Sequence, residues 1–272
     1  MNTVSSLPSH VPARRRWNVF TAILLLVLCA PWGLVRLWRR RVRWWFLAPY
    51  ALVGLPLFVV TYAFVGLVVF ASFLPALDLS VSEHAPRTVR FSEGNYESTF
   101  VETSRDTGGR HEFIRVQIQP HGGNAFHYHR TFEETFTVED GELTVFVGKD
   151  VVVLKPGESV TAPRGILHTF RNATDKVVTM TVRVTPARGL EKSIRVAYGL
   201  SNTGRWHGAS RMQNLWRLVL QLGYSETFLP GLPALIQEPL VNSLARVAQW
   251  TGKDAELKEF FDVPPPALAG LE

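Results

Sequence analysis

His127 and His129 stand two residues apart, Glu134 follows five residues after His129, and His168 arrives much later from a separate segment. Imidazole and carboxylate are the side chains that ligate divalent ions of borderline hardness or transfer protons near neutral pH. Cys29 is the only cysteine in 272 residues. A disulfide scaffold, a thiolate zinc site and a dithiol redox motif are therefore excluded, and any metal must be held by histidines and carboxylates. Because side chains alternate along a strand, the two-residue spacing sends the imidazoles of His127 and His129 to one face. The step from His129 to Glu134 is odd, so a turn or bulge with Thr131 as its pivot must re-aim the carboxylate to that side.

A lone strand histidine is more often a packed or hydrogen-bonded residue than a ligand, and the spacing of the whole set carries the argument. His127-x-His129, four residues, Glu134, six residues and Gly141 resemble the first motif of the cupin superfamily. Gly157, five residues, Pro163-x-Gly165, two residues, His168, three residues and Asn172 resemble the second. Nine positions agree in type and spacing, far beyond a chance match. One position departs: the glycine that usually opens the first motif is replaced by His121, with Gly122 and Gly123 just after it, which affects the entry turn and not the four polar residues.

The resemblance implies an all-β jelly-roll barrel over about residues 81–187, with one divalent metal inside held by His127, His129, Glu134 and His168. Three neutral imidazoles and one carboxylate suit Fe, Mn, Ni, Cu or Zn. A six-coordinate ion would keep two positions for water, oxygen or substrate. It further implies a small-molecule ligand or substrate, with a homodimer through the barrel as a possible assembly. Phe136 and Phe170, two residues beyond a ligand, share its face and are expected to line the cavity, while Phe126 and Tyr128 point the other way. His121 is read as a turn residue and Glu133 as a solvated neighbour. Asn172–Thr174 also matches a glycosylation sequon, but Asn172 is already accounted for by the second motif.

The elements that must position these residues are short. Segments 96–103, 112–119, 142–148, 150–154 and 176–185 are rich in Val, Thr, Phe and Ile and are separated by Gly, Asp and Asn turns, as in a sandwich or barrel. Gly148–Lys149–Asp150 reads as a hairpin turn. After residue 186 the pattern changes, and 212–224 and 238–250 show apolar residues at helical spacing. Neither is apolar all round, so both read as helices of a C-terminal tail (188–272) that pack on the barrel or lie against a membrane face. Some cupin proteins carry a similar C-terminal helix pair.

The first eighty residues have a different composition. Mean hydropathy of the chain is slightly positive, and the uncharged runs 17–35 and 44–77 are each long enough to cross a bilayer. The 44–77 run is too long for one straight span, so Pro49 and Pro56 are expected to mark a lead-in to a helix near residues 52–75. A cleaved signal peptide fits poorly, because Pro31 directly follows Ala30 and a second apolar run comes at once. The link 36–43 between the runs holds five arginines, which places it in the cytoplasm and the barrel on the non-cytoplasmic side. The basic tail 1–16 would then be carried across if residues 17–35 span, or stay inside if they lie in the interface.

Residues 1–80 carry eight arginines and one acid, whereas 81–272 carry 21 basic and 22 acidic residues. The net charge of +6 therefore belongs to the apolar region, and a nucleic-acid footprint on the globular part is excluded. Two classes of function remain: a membrane-anchored metal enzyme with dioxygenase-like or isomerase-like chemistry, or a non-catalytic sensory module that binds a small ligand. No acid–base partner beyond the four polar residues is legible.

Overall fold

The computed structural model describes residues 29–35, 38, 39, 41 and 43–264. The basic tail 1–16, residues 17–28 of the first apolar run, Arg36 and Arg40 of the link, and residues 265–272 lie outside the described residues. The chain divides into two compact units, Met1–Gly66 and Leu67–Glu272. Helix α1 (Trp44–Ser72) contains no charged residue. Its stretch Ala51–Ser72 is long and apolar enough to cross a membrane. The helix runs unbroken through Pro49 and Pro56, so the lead-in expected from those prolines is already helical, and the helix stops at Ser72 rather than near residue 75.

The second unit is built on strands β1 (Thr88–Phe91), β2 (Tyr96–Glu102), β3 (Glu112–Ile118), β4 (Tyr128–His129), β5 (Glu133–Asp140), β6 (Leu143–Val147), β7 (Asp150–Leu154), β8 (Ser159–Ala162), β9 (His168–Arg171), β10 (Val178–Thr185) and β11 (Thr227–Phe228). They form a six-stranded sheet in the order β1-β2-β3-β10-β5-β8, a three-stranded sheet β7-β6-β9 and the pair β11-β4, all antiparallel. This is the jelly-roll architecture that the strand spacing and the motifs imply.

Alternation drives the packing. Along β3, Glu112, Ile114, Val116 and Ile118 are buried while Arg115 and Gln117 face outward, and β5 buries Glu134, Phe136 and Val138 in the same way. The inward side chains of the two larger sheets meet in one core that includes Phe100, Phe136, Leu143, Val145 and Met180. Each such side chain contributes about 1.5–3 kcal/mol through its removal from water. The β6–β7 hairpin turns at Gly148, whose φ of 62° an L side chain rarely adopts. At Gly141 a Cβ would stand 2.9 Å from Val178 Cγ2 and 3.2 Å from Val177 O, which explains why the first motif ends on glycine.

Among the described residues four α-helices follow, α2 (Leu190–Asn202), the single turn α3 (Arg205–Gly208), α4 (Arg211–Tyr224) and α5 (Ala234–Trp250), and then a short 3-10 helix (Ala255–Phe260). Helices α4 and α5 correspond to the expected tail helices. Helix α4 begins on a capping box, with Ser210 and Gln213 satisfying each other's backbone N–H groups. Helix α2 was not foreseen. Leu190 and Tyr198 join the barrel core, whereas Val196 and Leu200 join a second core with Val219, Leu220 and Ala248. One helix thus glues the tail to the barrel. Strand β11 adds a second attachment, because it pairs Thr227 with His129 and Phe228 with Tyr128.

Candidate metal centre

The four polar residues come from four places in the barrel and converge. His127 sits at an isolated bridge where its N–H donates to His168 O at 3.1 Å and His168 N–H donates back to His127 O at 2.8 Å. His129 ends β4, Glu134 is the second residue of β5, and His168 opens β9. The segment between β4 and β5 leaves the strand at Arg130–Phe132, which supplies the re-aiming that the odd spacing demands, and Glu134 ends buried beside the histidines. One ligand atom from each of the four lies within 4.8 Å of the others.

The imidazoles are oriented from behind. Nδ1 of His127 lies 2.8 Å from Ala125 O, and Nδ1 of His168 lies 2.8 Å from Ile166 O. A carbonyl only accepts, so each Nδ1 carries the proton and Nε2 is the atom presented to the cluster. Nδ1 of His129 is held by Thr227 Oγ1 at 3.1 Å, and that hydroxyl is in turn 2.5 Å from Ser225 Oγ.

Charge follows from these contacts. His168 Nε2 lies 2.8 Å from Glu134 Oε2, and His129 Nε2 lies 3.4 Å from the same oxygen. Burial opposes the Glu134 charge, but His129 and His168 outweigh it and hold the carboxyl well below the usual range. His168 loses by burial and gains more from its hydrogen bond to Glu134, so its pKa is raised. His127, desolvated and crowded by two other imidazoles, is pushed down to about 3 and stays neutral.

The donor set fits a divalent ion. His129 Nε2 is buried and makes no hydrogen bond. An ion among the four would satisfy that atom, the anionic carboxylate and the two other Nε2 atoms together.

The cluster is not sealed. It forms one end of a cavity of about 260 Å³, which His127, His129 and Glu134 all line. Phe136 and Phe170 line it too, as their strand parity implies, while Phe126 packs on Phe146 and Tyr128 on Phe228 outside it. His121 is exposed with φ 62°, 3.1 Å from Asp175, and takes no part. Asn172 is fully buried, its amide donating to Ile118 O, Gln119 O and Lys176 O, so the sequon amide is engaged within the fold.

Sequence reasoning missed the far wall. Ser193, Ile194 and Tyr198 of α2, Leu218 and Leu222 of α4, and Thr227 of β11 all line the cavity. Leu190, Ile194, Ala197 and Tyr198 recur at helical spacing directly after Gly189, a pattern that would have revealed α2. Tyr198 donates to Tyr96 Oη at 2.9 Å, and both residues belong to the cavity lining. Burial keeps both protonated, with the Tyr198 pKa pushed up to about 12.

A family profile described as "Cupin domain" matches residues 114–184. None of the curated proteins matches the chain. Among solved structures, similar folds include the protein TT1209 of Thermus thermophilus, with 23% identity over 36% of this chain and 90% of that one at a TM-score of 0.33. A sugar phosphate isomerase of the cupin superfamily from Silicibacter pomeroyi has 23% identity over 42% and 77% at a TM-score of 0.32. A predicted oxalate decarboxylase of Thermotoga maritima has 17% identity over 40% and 99% at a TM-score of 0.35. The profile match contains both motifs and all four polar residues, and residues 114–184 of this chain are a domain of the cupin superfamily.

Proposed function

We propose that this protein is a membrane-anchored, metal-dependent cupin enzyme acting on a small molecule, with dioxygenase-like or isomerase-like chemistry. His127, His129, Glu134 and His168 are its metal ligands. The observation that carries this reading is the position of the cluster: three of the four side chains face a cavity, whereas a structural metal site is closed on all sides by its ligands. A divalent ion held there would supply Lewis-acid or redox chemistry at the end of the cavity.

The chain's own groups do the rest. Nδ1–H donation to Ala125 O and Ile166 O fixes two rings and keeps their Nε2 atoms aimed inward. The Tyr198–Tyr96 hydroxyl pair offers a proton donor that stays protonated at neutral pH and orients an oxygen of the substrate. Ile114, Val182 and Leu190 exclude water from the walls. Helix α1 anchors the protein, and the arginines of link 36–43 favour the barrel on the non-cytoplasmic side.

The test is elemental analysis of the untagged full chain purified without added metal, followed by incubation with oxygen and a metabolite pool. One equivalent of a transition metal with oxygen consumption or product formation supports the enzyme. Metal with saturable thermal shifts and no turnover favours the sensory module. Absence of bound metal, with no uptake on addition, overturns both.

A further inference from the structure

The cavity brings the polar cluster together with apolar side chains, and some of its lining residues reach the protein surface. Apart from Glu134 and the histidines, no charged side chain among the described residues lines it, so none of them offers a Lys or Arg to meet a phosphate or a polyanionic sugar. Its lining is mostly aliphatic and aromatic, with Ser98, Asn124, Ser193, Gln221 and Thr227 as neutral polar groups, and its volume of about 260 Å³ lies just below the usual range for small-molecule sites.

Two of the lining residues, Leu218 and Leu229, are also exposed, at 37% and 39%. They mark the mouth. Leu215, one turn before Leu218 on α4, is 39% exposed. On the other side, residues 227–237 contain no charge. Gln237 clamps this segment into a loop, accepting from Leu229 N at 2.7 Å and donating to Leu229 O at 2.8 Å. Between the clamped ends, Leu232, Leu235 and Ile236 are exposed, at 61%, 86% and 48%. Exposed apolar residues that occur singly are ordinary, but here six either line the cavity or lie close in sequence to a lining residue, within one turn of Leu218 or within seven residues of Leu229. Strand β11 pairs Thr227 with His129 and Phe228 with Tyr128, and Leu229, which lines the same cavity as the cluster, follows it directly in the chain.

We infer that the substrate or ligand is a long-chain amphiphile, an alkyl alcohol or carboxylate drawn from the bilayer, with its oxygen head at the His/Glu cluster and its chain passing out over Leu218, Leu229 and the 230–236 segment that leads into α5. The role of the head rests on the metal reading above, whereas the site for the chain does not. The cavity alone is too short for a long chain, and the exposed leucines extend it. Supply from a bilayer is consistent with the tether: only residues 73–87 separate α1 from β1, at most about 50 Å of extended chain.

The experiment uses the full chain in phosphatidylcholine nanodiscs with a diazirine-bearing hexadecanoic acid as photoprobe, and peptide mass spectrometry to locate adducts. We expect adducts on α4 around Leu218 and on the 229–236 segment, with competition by unlabelled hexadecanoate and none by glucose 6-phosphate. In the Leu229→Glu variant, which puts a charge on the rim, adducts at these positions should fall about tenfold. Wild-type competition keeps the test decisive even if that variant does not fold. Adducts confined to α1, or adducts at the mouth that hexadecanoate does not displace, would overturn the inference. Metal content is measured on the same samples before and after chelation. Mouth adducts that persist in metal-free protein leave the amphiphile site standing even where the metal reading fails, and a metal-loaded protein without mouth adducts leaves the metal reading standing alone.

Discussion

Thr227 places its hydroxyl 3.1 Å from Nδ1 of His129, so a residue ninety-eight positions further along the chain orients a ring that the first motif supplies. The contact is possible because β11 pairs with β4 in a register that sets Thr227 opposite His129. Outer contacts of this kind fix ring orientation and basicity, and losing one costs about 10- to 100-fold in metal affinity. Thr227→Val keeps the shape and removes the oxygen. Competition with a chelating dye should show affinity weakened within that range while the melting temperature of the metal-free protein barely moves. Unchanged affinity would mean that His129 is held by packing alone.

The four polar residues are expected to act as one unit. His127→Ala or His168→Ala leaves an incomplete donor set, and Glu134→Gln removes its only anion, so each should sharply reduce metal per protein in elemental analysis. The aromatic neighbour offers a control. Phe136→Leu alters the cavity wall without touching a donor atom, and its metal content should match the wild type. If Phe136→Leu lost metal as severely as His168→Ala, the losses would report folding instead of ligation.

How much of this was legible in the sequence follows from which interactions are local. His127, His129, Glu134 and His168 could be picked out because short local patterns mark them, strand alternation for the step from His127 to His129 and the spacing within each of two cupin-like motifs for Glu134 and His168. The same holds for β2, β3, β6, β7 and β10, whose bounds differ from the expected segments by at most two residues. Helix α2 escaped because its apolar residues serve two partners: Leu190 and Tyr198 face the barrel, Val196 and Leu200 face α4 and α5, and the recurrence of Leu190, Ile194, Ala197 and Tyr198 is only one part of that pattern. Thr227 escaped for another reason. It is an ordinary threonine in a short connection, and its role exists only through pairing with β4.

Topology makes a prediction independent of the site. Five arginines in the link 36–43, against Arg87 and Arg90 offset by Asp78 and Glu83 beyond the helix, favour export of everything after α1. A reporter active only outside the cytoplasm, fused after residue 80, should be active, and a reporter active only inside should be silent. The opposite pair of results would place the barrel in the cytoplasm.

The last prediction concerns pH and a carboxyl remote from the cluster. Glu112 is fully buried in β3; its Oε2 accepts from Glu191 N at 3.2 Å and its Oε1 has no hydrogen-bond partner. Burial first, and then the nearby Glu191 charge, push its pKa up to about 8, against the opposing effect of the Glu191 N–H. Arg195 does not relieve it, because Nη2 of that side chain is committed to Glu191 Oε1 at 2.8 Å. In the unfolded chain the group titrates near 4.5. Between these two values the folded state binds the extra proton, so stability falls as pH rises. The contribution is fully present below the unfolded pKa and is lost as pH passes through the folded one. The loss by pH 9 should be on the order of a few kcal/mol. Glu112→Gln keeps the shape without the ionisable proton, so thermal melts from pH 6 to pH 9 should decline in the wild type and decline less in the variant. Parallel curves would show that Glu112 is either ionised throughout or solvated, and the buried neutral carboxyl would have to be abandoned.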